Sequence, residues 1–263
     1  MPAKKKSYTC EELAESLRAV GIGRGSHVVM HSSLMKLGAL EGVDPKDAPK
    51  AVIDTVLSVV GEEEGTLIVP TFSWTFYRGQ PHSVLETPCD PGMGNLSEIL
   101  RVDPRARRTG HPGQNWSAIG KLAEAMTAPE TDTVSAWDNK TGPARVARDA
   151  GAVILMLGYP NMNTCSFTHY VEELAAPNCP YRFWKDFTGP YTTRDGVTEE
   201  RTYSFYARDL KYKHHPIFEP ALHWMREAGL VKESPVGRGA ALAFTLESLV
   251  NTMLPKITAD PGS

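Results

Sequence analysis

The chain has 263 residues, with 28 Lys plus Arg against 31 Asp plus Glu and a formal net charge of −3. Hydrophobic residues make up 41% and charged residues 22%, which are ordinary values for a globular protein with a substantial core. A charge near zero without a basic block argues against a nucleic-acid-binding protein, and apolar runs such as Ala152–Leu157 are too short to span a membrane. The N-terminal MPAKKKSYTC lacks the apolar region of a signal peptide, and the four cysteines lack zinc-site spacing. We therefore expect reduced thiols in a cytoplasmic protein.

The first 160 residues alternate predicted helices with predicted strands. A capping box formed by Thr9 and Glu12 starts a helix that ends near Gly21. The later elements predicted in this part are strands at 27–31, 66–71 and 152–157, and helices at 44–60, 96–101, 118–126 and 144–149. Continuous apolar strands separated by amphipathic helices indicate a parallel sheet that is covered on both faces.

The pattern changes after about residue 177. Segments 191–194 and 198–206 flank Asp195-Gly196, a hairpin-turn signal, and two further helices are predicted at 216–228 and 242–254. We therefore expect an α/β protein in which residues 1–263 form a single domain. Its fold is predicted to be a three-layer α/β/α arrangement with a mostly parallel central sheet and an antiparallel insertion at 178–210.

Polar segments follow the predicted strands, at the sheet edge where open α/β folds bind ligands. The segment HSSLMKLG (31–38) combines small hydroxyl residues with Lys36, which suits an anionic ligand, and VPTFSW (69–74) follows the next strand. The pair Arg107 and Arg108 beside His111 fits either a phosphate clamp or a solvated face. The sequence has neither a P-loop nor a GxSxG elbow, and no GxGxxG follows the first long strand.

The segment 158–173 follows the strongest predicted strand and carries the sharpest chemical signal. His169 and Glu172 lie three residues apart on a helix predicted to begin at Thr168, so they share one face. A carboxylate beside an imidazole fixes its tautomer and supports its cation, which is the arrangement that a general base needs. Cys165 lies four residues before His169, so a Cys–His hydrolase stays open as an alternative.

Seven segments, in order, resemble the aminoglycoside 3-N-acetyltransferase family, also called the antibiotic N-acetyltransferase family. They are VVMHSSLMKLG (28–38), GTLIVPTFSW (65–74), MGNLSEILR (93–101), HPGQNWSAIG (111–120), AGAVILMLGYPNMNT (150–164), HYVEE (169–173) and SPVGRGA (234–240). The family often has Asn-Thr-x-x-His, whereas residues 165–168 make this gap two residues longer. Asn115 stands where many members have Ser.

The resemblance implies an acetyl-CoA-dependent N-acetyltransferase with the family's own α/β/α fold, which is unrelated to the GNAT fold, and no metal. It implies that His169 and Glu172 form the catalytic pair, and Thr71 is then a candidate to stabilise the oxyanion on the thioester. The residues that the resemblance and the chemistry of a diphosphate assign to the cofactor are His31, Ser32, Ser33, Leu34, Lys36, Ser73, Val236 and Gly237.

The substrate implied is the 3-amine of a 2-deoxystreptamine aminoglycoside, with Glu173 and Asp138 as acidic substrate-binding candidates. Another biosynthetic or metabolic amine is the first alternative. A hydrolase built on Cys165 and His169, or a non-catalytic CoA- or antibiotic-binding protein, are alternatives of a different class. We expect a small-molecule partner, with neither nucleic acid nor membrane, and we allow for a homodimer.

Overall fold

The computed structural model describes residues 7–128, 135–137, 143–158, 162–212 and 218–258. The helices are α1 Cys10–Ala19, α2 Leu34–Leu37, α3 Ala48–Val60, α4 Asn95–Arg101, α5 Ala123–Thr127, α6 Pro143–Asp149, α7 Thr168–Leu174, α8 Phe218–Glu227 and α9 Leu246–Thr258. The strands are β1 Ser7–Tyr8, β2 His27–Ser32, β3 Ala39–Leu40, β4 Thr66–Pro70, β5 His82–Ser83, β6 Arg107–Arg108, β7 Trp116–Gly120, β8 Val153–Leu157, β9 Arg182–Thr192, β10 Thr198–Arg208, β11 Lys232–Val236 and β12 Gly239–Thr245.

The central sheet has the strand order β11-β12-β8-β2-β4-β7-β6 within the described residues. Strand β2 pairs in parallel with β4 and with β8, whereas every other neighbouring pair in this sheet is antiparallel. The α/β class is confirmed, but the sheet is mixed rather than mostly parallel. Parallel pairing is confined to the three middle strands, and the outer strands return antiparallel along both edges.

Alternating side chains of the strands build two separate cores, one on each face of the sheet. Val28 and Met30 of β2 point into a core shared with α1, α3 and α4, whereas Val29 points into a core shared with α5 to α9. Helix α1 begins at the predicted capping box, in which Thr9 Oγ1 accepts from the Glu12 N–H and Glu12 accepts from the Thr9 N–H. The result is the three-layer arrangement that the sequence predicts.

Three helices begin later than predicted, because a strand or a turn occupies the first residues of each predicted segment. The predicted helix 118–126 divides into β7, which pairs with β4, and the short α5. The predicted helix 242–254 begins only at Leu246, because residues 239–245 form a strand between β8 and β11. Helix α3 begins at Ala48 because residues 44–47 form a turn, in which the Lys46 N–H donates to the Asp44 carboxylate at 3.0 Å. A run of apolar residues that is buried on both sides fits the periodicity of a helix as well as that of a strand, so the sequence pattern alone does not distinguish a helix from a strand.

An antiparallel hairpin made of β9 and β10 lies within the predicted insertion 178–210 and is longer than the predicted strand segments. It extends a small sheet through β5, where His82 is in register with Tyr191. Tyr191 of β9 and Tyr203 of β10 pack with Phe76 and Val84 in a third apolar cluster. The assignment of 1–263 to one domain, with 178–210 as an insertion, stays a prediction.

Three histidines are buried in the fold, and burial lowers the pKa of each to about 3. His31 lies at the end of β2, His82 stacks on Tyr191 beneath the hairpin, and His111 lies edge-on to Tyr203. All three are therefore neutral in the native state at any pH at which enzymes are usually assayed.

We expect the free energy of unfolding to fall as the pH is lowered below about 6.5, the ordinary pKa of an unfolded histidine. Below that pH the unfolded chain binds protons that the buried imidazoles do not bind until about pH 3. The loss should approach roughly 1 kcal/mol per pH unit for each histidine. Urea unfolding at pH values between about 7.5 and 5 measures this loss of the free energy of unfolding, because most carboxyl groups titrate below that range. His82→Gln should flatten this dependence, whereas the exposed control His223→Gln should not, and equal slopes in all three proteins would contradict the explanation.

Candidate active site

Two neighbouring cavities lie at the carboxyl ends of β2 and β4. The larger cavity, of about 520 Å³, runs between the segment after β2 and the start of α3, and the smaller cleft, of about 300 Å³, lies against the segment before α7. Ser32, Gly92 and Met93 line both. The larger cavity is lined by Tyr8, Ser32–Met35, Gly38–Leu40, Val43, Pro45, Ala48, Pro49 and Gly92–Leu96. The smaller cleft is lined by Met30–Ser32, Val69, Pro70, Phe72, Trp74, Gly92, Met93, Ser97, Thr164–Ser166 and His169.

His169 and Glu172 form a pair at the wall of the smaller cleft. Both lie on α7, and His169 Nδ1 is 2.8 Å from Glu172 Oε2. The imidazole is 29% exposed, whereas the carboxylate is 1% exposed. A carboxylate at this distance places the proton on Nδ1, because the reverse tautomer would set two acceptors against each other. The lone pair of the imidazole is then on Nε2.

Arg182, the first residue of β9, provides the charge that balances Glu172. Its Nη2 donates to Glu172 Oε2 at 2.7 Å, and its Nη1 donates to the carbonyl of Tyr206 at 3.1 Å. Nη2 also lies 3.0 Å from His169 Nδ1, but both nitrogens direct protons at the Glu172 oxygen, so this contact is not a hydrogen bond. The Arg182 side chain is 4% exposed, so this is a buried ion pair. A buried carboxylate that lacked such a partner would favour its protonated form. The hairpin therefore contributes directly to the charge of the pair on α7.

His31 and Ser166 join the end of β2 to the segment before α7. The Ser166 N–H donates to His31 Nε2 at 3.1 Å, and Ser166 Oγ lies 2.7 Å from the same nitrogen. His31 also lies edge-on to Trp116, with 6.3 Å between ring centroids. His31 thus lines the smaller cleft, but the nitrogen predicted to serve a cofactor is engaged by Ser166.

Thr71 and Ser73 lie behind the cleft rather than at its surface. Both are fully buried, and neither is among the lining residues of the two cavities. Thr71 Oγ1 donates to Asn115 Oδ1 at 3.0 Å, and Ser73 Oγ donates to the Pro112 carbonyl at 2.8 Å. Arg108 donates to the same Asn115 oxygen at 2.9 Å. This placement does not support the predicted roles of Thr71 at the oxyanion and of Ser73 at the cofactor, since their hydroxyls hold the buried ends of β4 and β7 together.

Of the remaining residues predicted to bind the cofactor, some line the larger cavity and others do not. Ser32, Ser33 and Leu34 line the larger cavity, as expected for cofactor-binding residues. Lys36 is exposed on α2 and does not line it. Val236 is buried, and Gly237, in the turn between β11 and β12, packs against the carbonyl of Leu37. Val236 and Gly237 therefore support the loop that lines the cavity without lining it themselves.

The structure gives little support to the two acidic residues predicted to bind the substrate. The Ser135 hydroxyl donates to the Glu173 carboxylate, whose two oxygens lie 2.9 and 2.6 Å from Ser135 Oγ, and Glu173 does not line the smaller cleft. Asp138 lies outside the described residues. Among the described residues, no group of His, Cys, Asp and Glu has the arrangement of a metal site. None of the described helices meets the length and apolarity needed to cross a membrane.

Three features of the site were not predicted from the sequence. Arg182 follows Glu172 by ten residues in a segment without a recognisable pattern, so no local signal marks it. Ser166 lies in the segment that makes the Asn-to-His gap longer than usual. The segment 92–96 lines the larger cavity, and its first two residues also line the smaller cleft. The only signal for residues 93–96 was their place in the stretch MGNLSEILR.

We expect Gly237→Ala to be far more damaging than Gly196→Ala, although both glycines have positive φ in hairpin turns, +56° and +79°. A Cβ at position 237 would lie 2.1 Å from the carbonyl oxygen of Leu37, whereas a Cβ at 196 would meet no atom within 4 Å. The control should therefore lose only about 1–2 kcal/mol from the left-handed backbone. Gly237→Ala should also weaken acetyl-CoA binding by about tenfold or more, since a shift of about 1 Å in a binding loop has effects of this size. Calorimetric titration and thermal unfolding of both variants test this, and equal losses would contradict it.

The comparisons with known proteins agree with the fold. A family model described as Aminoglycoside 3-N-acetyltransferase matches residues 29–257. Aminoglycoside N(3)-acetyltransferase VII of Streptomyces paromomycinus is 28% identical over an alignment that covers 92% of this chain and 89% of the relative.

Two solved structures share the fold at lower identity. AAC-IIIb binary with CoASH has a TM-score of 0.78 and 21% identity, covering 95% of this chain and 96% of that one. AAC-VIa bound to sisomicin has a TM-score of 0.75 and 22% identity, covering 96% and 98%. At these identities the two structures establish the fold alone. Because the family match extends over most of the chain, we conclude that this protein belongs to the aminoglycoside 3-N-acetyltransferase family.

Proposed function

We propose that this protein transfers the acetyl group of acetyl-CoA to an amine, and that the foremost substrate is the 3-amine of a 2-deoxystreptamine aminoglycoside. The observation that carries the proposal is the His169–Glu172 pair, at 2.8 Å, on the wall of a cleft that neighbours a cavity of about 520 Å³. The family membership and the relatives' names support the choice of donor and substrate.

The base is needed because an aliphatic amine is mostly protonated at neutral pH and has no lone pair for attack. His169 carries its proton on Nδ1 toward Glu172, which leaves Nε2 to take a proton from the substrate nitrogen. The neutral nitrogen then forms a bond to the thioester carbon, the carbon–sulfur bond breaks, and the imidazolium gives its proton to the departing CoA thiolate. His169 can then remove the second proton that the acylated nitrogen must lose to become an amide. Glu172 stabilises the imidazolium that forms during this transfer.

The acetyl-CoA is proposed to occupy the larger cavity, with Ser33 and Leu34 along its wall. The thioester would lie at the junction formed by Ser32, Gly92 and Met93, since these residues face both cavities. Its acyl carbon would then face the smaller cleft, which His169 lines. No metal enters the proposed reaction.

Arg182 is proposed to keep Glu172 ionised. The ion pair of Arg182 with Glu172, at 2.7 Å, orients the imidazole, and it stabilises the imidazolium less strongly than an unbalanced carboxylate would.

The structure also bears on the alternatives. Burial raises the pKa of the Cys165 thiol to about 12, which disfavours the thiolate that a cysteine hydrolase requires. Thiol release should therefore survive Cys165→Ala. A non-catalytic binding protein would bind acetyl-CoA in a calorimetric titration without thiol release in the presence of any amine. A panel of aminoglycosides and simple amines distinguishes an antibiotic from another metabolic substrate.

Location and assembly stay predictions. All four cysteines are free thiols, which agrees with the proposed cytoplasmic location. A homodimer is compatible with the proposed reaction, which draws all its named residues from one chain.

We expect His169→Ala to lower the rate of thiol release with a saturating aminoglycoside by about 10²–10⁴-fold, the usual effect of losing a general base. Glu172→Gln should cost less, because the imidazole remains. The exposed His223, which pairs with Glu227 on α8, provides the matched control His223→Ala, which should act like the wild type. Acetyl-CoA affinity should change little in all three variants. Retention of more than about a tenth of the wild-type rate in His169→Ala would assign the base to another residue.

We expect Arg182→Met to lower kcat by about 10- to 100-fold, the effect of losing a hydrogen bond between charged groups. The KM for acetyl-CoA should stay unchanged, because Arg182 does not line the larger cavity. Arg182→Lys, which keeps the charge, should recover part of kcat. Steady-state kinetics below the melting temperature of each variant measure this, and wild-type kcat in folded Arg182→Met would show that the ion pair has no part in the reaction.

A further inference from the structure

The His31–Ser166 contact fixes the direction of a hydrogen bond inside the smaller cleft. The backbone N–H of Ser166 points at His31 Nε2 from 3.1 Å, so that nitrogen must be an acceptor and carries no proton. The proton of the neutral imidazole is therefore on Nδ1. Burial, which lowers the pKa of His31 to about 3, agrees with a ring that stays neutral.

The Ser166 hydroxyl is then a donor to His31. Its oxygen is 2.7 Å from Nε2, and since Nε2 has no proton, the hydroxyl must provide it. A hydroxyl has one proton and two lone pairs, so the oxygen is left with acceptor capacity only. Among the described residues, no group donates to this oxygen.

The oxygen lies in the same cleft as the proposed base. Ser166 and His169 both line the cleft, and the His169 N–H donates to the Ser166 carbonyl at 3.0 Å, so one turn of chain separates them. A substrate nitrogen that reaches His169 Nε2 is therefore in a position to meet a second acceptor nearby.

On this basis, and resting on the function proposed above, we propose that Ser166 Oγ accepts an N–H hydrogen of the attacking amine and thereby selects primary amines. After attack, a primary amine nitrogen carries two hydrogens: His169 takes one as a proton, and the other forms the hydrogen bond to Ser166. The nitrogen becomes cationic during attack, so this bond strengthens toward the transition state. A secondary N-methyl amine has one hydrogen at that stage, which His169 removes, and its methyl group faces the Ser166 oxygen.

The pair of acceptors used as the probe is a 2-deoxystreptamine aminoglycoside with a free 3-amine and the same molecule methylated at that nitrogen. For the wild type we expect kcat/KM to be about 10- to 100-fold higher for the primary amine, the effect of one hydrogen bond to a developing charge. In Ser166→Ala this ratio should fall toward one, mainly through loss of activity with the primary amine. Ser166→Thr, which keeps the hydroxyl, should retain the preference.

Two controls separate this role from a structural one. Ser58→Ala removes an exposed hydroxyl that donates to the Thr55 carbonyl on α3, far along the chain, and should leave the ratio at its wild-type value. Acetyl-CoA affinity in Ser166→Ala should equal that of the wild type, whereas a general distortion of the cleft would lower activity with both acceptors by the same factor and leave the ratio unchanged.

An unchanged ratio in an active Ser166→Ala enzyme would overturn this inference and leave the proposed function intact. Absence of thiol release by the wild type with every amine would overturn the proposed function, and this inference with it. A wild type that acetylates both acceptors equally would show that the second hydrogen is not used.

Discussion

A carboxylate that is almost completely buried is the constraint around which this site is organised. Glu172 is 1% exposed, and burying a charge without a partner is costly enough to shift it to the neutral form. Arg182 satisfies that requirement from the hairpin, and His169 satisfies it from the same helix. The hairpin is consequently part of the site rather than an appendage on the sheet.

The mixed sheet determines where the two substrates meet. In the central sheet β2 pairs in parallel with both β4 and β8, so the carboxyl ends of these three strands open together at one edge, and the loops that follow β2 and β8 approach one another there. His31 and Ser166 join those two loops directly. The larger cavity on one side and the smaller cleft on the other then share a wall at Ser32, which is where the proposed reaction would bring the thioester and the amine together.

Local sequence patterns predicted the helices, the strands and the His169–Glu172 pair on α7. They could not predict contacts between residues that are far apart in sequence. The capping box of α1, the central strand β8 and the His169–Glu172 spacing depend on residues within one or two turns of each other, and each is observed. Thr71 and Ser73 resembled ligand-binding residues because they follow a strand, yet Asn115, more than forty positions away, draws Thr71 into a buried network. Strand β7 was mistaken for a helix because a segment buried on both faces has no amphipathic period to reveal its geometry.

The turn at Gly237 gives the site an unusual dependence on the order in which the chain is made. Residues 33–38, which follow β2, are held in place by the N–H of Arg238, which donates to the Leu37 carbonyl at 2.8 Å, and by the close approach of Gly237 to the same carbonyl. A ribosome that has completed three quarters of the chain has therefore made every lining residue of the larger cavity without the turn that secures its edge. The edge of the larger cavity is therefore complete only after β11 and β12 have paired and joined the sheet at β8.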